Sequence, residues 1–171
     1  VLIILTHGNA AMLGWVMAVN FAPLLVVTPW AGALADRISM RRIMVTAQIV
    51  LAIDAAILST LVLTGAVQLW MVFVISAMDG VAGAFYSPAT QAFVSELVPL
   101  KNLPNAVSLN SASFNGARLL GPGLGGLLIA AVGVGWVMAI NVVCFIGFIS
   151  TLLLIKADRL YTSPPASEKA R

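Results

Sequence analysis

Apolar residues run along the chain in long blocks separated by short polar interruptions, and no block alternates with the period of a strand. Residues 1–5 are apolar from the first position. With no initiator Met and no basic lead, they read as the last turns of a truncated first helix rather than a signal peptide. A polar turn at 6–10 (THGNA) precedes a second block over 11–34 that contains Pro23 and Pro29. Prolines kink a membrane helix without ending it, because neighbouring groups satisfy the freed carbonyls. A third block spans 43–64, a brief turn at 65–68 leads into a fourth over 69–93, and Pro88 falls near its far end. The polar connection 96–105 (ELVPLKNLPN) leads to a fifth block over 104–132 and a sixth over 135–155. Each complete block exceeds the roughly 20 apolar residues needed to cross about 30 Å of hydrocarbon. The pattern predicts an all-α transmembrane helix bundle over 1–155. The polar, proline-containing tail 156–171 (KADRLYTSPPASEKAR) reads as the start of a linker.

Composition agrees with this pattern and excludes a soluble domain. Of the 171 residues, 61% are hydrophobic and 9% charged, against about 25% charged in soluble proteins. The net charge of +3 does not form a nucleic-acid patch, because the basic residues fall at the ends of the apolar blocks. Arg37, Arg41, Arg42, Lys101, Lys156, Arg159, Lys169 and Arg171 all map to one side of the bundle, and the turns on the other side carry none. Retained basic residues mark cytoplasmic loops, so residues 32–42, the 96–105 connection and the tail are expected on the cytoplasmic side. The single cysteine, Cys144, lies in an apolar block and reads as a packing residue, and His7 as a solvated turn residue.

The densest polar feature is GALADRISMRR at 32–42, an acid and three arginines between two apolar runs. Gly32, Leu34, Ala35, Asp36, Arg37, Arg41 and Arg42 resemble the signature loop between the second and third helices of the major facilitator superfamily. A generic basic turn would account for the arginines but not for Gly, Leu and Asp at fixed offsets. In the fifth block, Gly121, Pro122, Gly125 and Gly126 spell GPxxGG, which resembles the antiporter signature of exporters in the same superfamily. Physically, the proline frees a carbonyl and the glycines allow bending and close packing against a neighbour, as a gate requires. The stretch PATQAFVSELVP at 88–99 and the pattern NxxRLLGPGLGG from Asn115 are most similar to the drug, siderophore and macrolide exporter branch. The resemblance implies five full helices plus the remnant of a first, about half of a twelve-helix fold whose C-terminal half is missing. It also implies a plasma-membrane location and a cytoplasmic gate built on Asp36, Arg37, Arg41 and Arg42. One departure is Ser76, which stands four residues before Gly80 where many members carry an arginine. A proton-relay role cannot be carried over from that arginine, and Arg118 is the candidate substitute.

Three ionisable residues fall within blocks: Asp54, Asp79 and Arg118. Charges inside a membrane are costly, so each is a candidate for handling substrate or protons. Helical spacing places Ser108, Ser111, Asn115 and Arg118 on one stripe of the fifth block, and Asp79, Tyr86 and Thr90 on one stripe of the fourth. Facing stripes would let Asp79 pair with Arg118, either as a purely structural lock or as part of transport. Asp54 stands alone on its helix. Ser76, Gly80, Gly83 and Ser87 form a small-residue face suited to close helix contact.

The function expected from these features is secondary active transport: proton-coupled efflux of a small organic solute by alternating access, with a proton gradient rather than a cofactor as driving force. A non-transporting membrane scaffold or sensor that keeps the fold is the alternative. An enzyme is disfavoured, because the sequence offers no His-metal cluster, no Ser or Cys beside a base, and no paired catalytic carboxylates.

Overall fold

A computed structural model describes residues 10–35 and 38–155, with side chains described over 11–27 and 38–155. The remnant 1–5, His7, Asp36, Arg37 and the tail from Lys156 lie outside the described residues. Five α-helices account for nearly all of the described chain, in the order α1 (Ala10–Ala35), α2 (Met40–Leu63), α3 (Leu69–Leu97), α4 (Leu103–Val132) and α5 (Val134–Leu154), with a single 3-10 turn at Leu100–Asn102 before α4. These are the second to sixth apolar blocks.

Two ends differ from the sequence reading. α2 begins at Met40 rather than at 43, because the Ser39 carbonyl accepts the amides of Arg42 and Ile43 and starts the helix through the two arginines. α3 continues to Leu97 rather than stopping near 93, so Pro88 sits inside it. Proline removes one backbone donor, a loss that a packed helix tolerates. Gly65 and Gly133 turn the chain at positive φ, 69° after α2 and 84° between α4 and α5, where a side chain would be strained.

α1 packs along α3, α2 lies against both α3 and α5, and α4 touches α3 and α5 only lightly. The buried core sits at the α2 N-terminal end, where Ile43 and Met44 of α2 meet Ala89 and Phe93 of α3 and Leu152 of α5. Two polar ties hold α5 to α2, one near each end. The Ser59 hydroxyl donates to the Gly135 carbonyl at 2.9 Å, and Arg41 donates to the carbonyls of Leu152 and Leu153 at 2.8 and 2.7 Å.

Among the described residues, α2, α3 and α5 are long and apolar enough to cross a membrane. α4 has 30 residues and sufficient length, but its first half carries Asn105, Ser108, Asn110, Ser111, Ser113 and Asn115 and is correspondingly less apolar. Much of the outer surface is large and hydrophobic, including Leu119 and Leu154, as lipid-facing helices require.

Candidate functional site

The tightest helix crossing joins α1 to α3. A Cβ at Gly80 would collide with the carbonyl of Asn20, so only glycine admits α1 here. The Asn20 side-chain amide then donates to the Ser76 carbonyl at 3.0 Å. Ser76 and Gly80 thus provide the close contact expected of the small-residue face. Gly83 and Ser87 instead border a cavity, and Gly83 has open space in front of it.

One residue before Gly80, Asp79 is half-buried on α3, and α2 beside it carries Asp54. Asp54 is 1% exposed, and neither carboxylate oxygen has a hydrogen-bond partner among the described residues. The two carboxylates thus lie on adjacent, packed helices, α2 and α3. The expected Asp79–Arg118 pair does not form, and Asp54 is the one ionisable residue in the interior of α2. Arg118 is exposed, and its guanidinium carbon lies 5.7 Å from the ring centroid of Phe114, one turn back on α4. α4 sits too lightly on α3 to deliver the arginine, and a cation–π contact on its own helix holds it.

The polar stripes of α3 and α4 do meet, but nearer the α3 C-terminus. They border a cavity of about 1010 Å³ whose lining includes Tyr86 and Thr90 of α3, Ser111 and Asn115 of α4, and Phe148 and Thr151 of α5. Tyr86 and Phe148 meet edge to face at 6.5 Å and 69°. No charged side chain is in this lining, and Ser108, Asp79 and Arg118 are outside it. Neutral hydrogen-bonding groups interleaved with aromatic faces suit an amphiphilic organic molecule.

In the hinge, Asp36 and Arg37 lie outside the described residues, and Gly32 and Leu34 are described only as backbone of α1. Arg41 is already engaged by α5. Its fork caps the last turn of α5, where helix carbonyls lack partners of their own. Arg42 is exposed and makes no side-chain hydrogen bond or ion pair among the described residues. Pro122 is inside α4, and a Cβ at Gly121, Gly125 or Gly126 would meet nothing within 4 Å. The close packing expected of GPxxGG is absent among the described residues, because α4 as a whole touches α3 and α5 only lightly and buries none of its residues.

Three functional or structural polar residues escaped the sequence reading: Asn20, Gln48 and Ser59. Gln48 is 5% exposed, with its side-chain oxygen unpartnered. Their common signal is a polar residue inside an apolar block, the same signal that singled out the charges.

A family model described as "Transmembrane secretion effector" matches residues 2–169. The chain is 31% identical over 153 residues to the uncharacterized MFS-type transporter YfiS of Bacillus subtilis (strain 168), covering 90% of this chain and 35% of that protein. It is 33% identical over 162 residues to the multidrug efflux pump Tap of Mycolicibacterium fortuitum, covering 89% and 39%. It is 27% identical over 164 residues to the staphyloferrin A transporter of Staphylococcus aureus (strain NCTC 8325 / PS 47), covering 95% and 41%. The chain thus spans between a third and a half of the length of these relatives.

Proposed function

The chain belongs to the transmembrane secretion effectors of the major facilitator superfamily, and from that premise we propose that the protein is a proton-coupled exporter of a small organic solute. The observation that carries the coupling is Asp54, buried among membrane helices with both oxygens unpartnered among the described residues, with Asp79 on the adjacent helix. A carboxylate at that depth is tolerated when it holds a proton, a cation or a basic partner, and no basic partner is present among the described residues. Asp54 and Asp79 exchange a proton with the aqueous cavity as the bundle alternates between its two faces. Solute occupies the neutral cavity between α3, α4 and α5, where Tyr86, Thr90, Ser111 and Asn115 orient it.

The efflux pump among the relatives and GPxxGG at 121–126 support export over uptake. The exposed glycine face of α4 receives the remaining half of the transporter, and Asp36 and Arg37 close the cytoplasmic side against it. An acid at a helix N-terminus contributes about 0.3 to 1 kcal/mol, enough to bias two conformations without locking one.

Solute accumulation in inside-out vesicles holding the full-length protein tests the reading. Across a panel of aromatic amphiphiles, accumulation should require an imposed proton gradient and collapse with a protonophore. Accumulation indifferent to the gradient would remove the coupling, and no accumulation of any panel member would remove the export assignment.

A further inference from the structure

A second concavity, separate from the solute cavity, opens between α2 and α3. It encloses about 510 Å³, and its walls are Ala47 and Val50 of α2 and Met78, Val81 and Phe85 of α3. The exposed residues Ile38, Arg42 and Thr46 also line it, and Arg42 is the one charged side chain among the described residues of the lining. From Arg42 to Val50 the groove descends eight residues of helix, about 12 Å. Met78 and Val81 are 43% and 40% exposed, so the groove is open to whatever surrounds the bundle.

We propose that this groove is a binding site for an anionic phospholipid, with an acyl chain lying along the apolar walls and the phosphate on Arg42. The arginines of the hinge divide the work. Arg41 is committed to the α5 carbonyls, whereas Arg42 has no partner among the described residues, is exposed and lines the groove. A guanidinium at the rim of an apolar slot fits a ligand with a hydrocarbon body and an anionic head, and a basic pocket between membrane helices is where such head groups bind. A helix from a second copy of this chain fits less well. Chain order puts eight of the nine Lys and Arg residues, but only Asp36, Glu96, Asp158 and Glu168 of the acids, at this end, so copies would meet with like charge. The site depends on membrane embedding alone and stands whether or not the protein transports.

The test is native mass spectrometry of the full-length protein released from nanodiscs of equimolar phosphatidylglycerol and phosphatidylcholine. The wild type should retain phosphatidylglycerol in preference. Arg42→Gln should lower that retention about fivefold, the ratio equivalent to about 1 kcal/mol for one basic residue at an anionic surface. Arg42→Lys should keep most of it. Thr46→Phe, a change on the exposed rim, should fill the groove and reduce retention of both lipids. Equal retention of phosphatidylglycerol by wild type and Arg42→Gln would overturn the proposal. So would equal retention of the two lipids by the wild type, or a lipid-free dimer.

Discussion

At the scale of single residues, Gly80 and Asp54 are the positions where chemistry and packing depart most from an ordinary apolar helix. Gly80→Leu should force α1 off α3, because the obstacle is the backbone carbonyl of Asn20 and cannot rotate away. Overpacking of this kind costs roughly 1 to 3 kcal/mol, readable as a lowered unfolding temperature in detergent, whereas Gly83→Ala enters open space and should leave it unchanged. Asp54 should behave in the opposite sense. A buried polar group without a partner costs about 1 to 3 kcal/mol, so the similarly sized Asp54→Leu should raise the unfolding temperature while abolishing coupled transport. A variant that unfolds earlier would mean that the carboxylate is held by bonds after all.

At the scale of elements, α2 and α5 act as one unit because polar ties fasten them near both ends. Arg41→Ala should cost roughly 1.5 to 3 kcal/mol, the range for hydrogen bonds from a charged donor, and Ser59→Ala about 1 kcal/mol. Arg41→Lys should recover only part of the loss, since one ammonium does not reproduce a fork aimed at two carbonyls. Thermal unfolding of the three variants checks the order. The five helices themselves were legible from the sequence, since apolar blocks and the glycines at 65 and 133 mark spans and corners directly. The Arg41 cap was not, because spacing reveals the family of a motif but not which carbonyl a flexible side chain reaches across 111 residues of chain. Asp79 and Arg118 fail to meet for a related reason. Depth along a helix says which residues share a level, and only the rotation of each helix about its axis says which of them meet. That rotation is set by contacts such as Asn20 on Gly80, which hydropathy does not report.

At the scale of the whole molecule, the asymmetry of basic residues sets the proposed orientation, with the hinge on the cytoplasmic side and the 65–68 turn outside. After Cys144→Ser removes the exposed native thiol, Gln68→Cys should react with an impermeant thiol reagent on intact cells and Ser39→Cys should not. Reaction at position 39 alone would invert the assignment. The central claim is that the Asp54–Asp79 pair carries the proton that drives solute out. Its most direct measurement is solute-induced proton movement in proteoliposomes, followed with an internal pH dye, comparing wild type with Asp54→Asn reconstituted at equal abundance. Addition of solute should drive proton flux in the wild type and none above background in Asp54→Asn, with solute binding retained because the neutral cavity is intact. Undiminished proton flux in Asp54→Asn would contradict it.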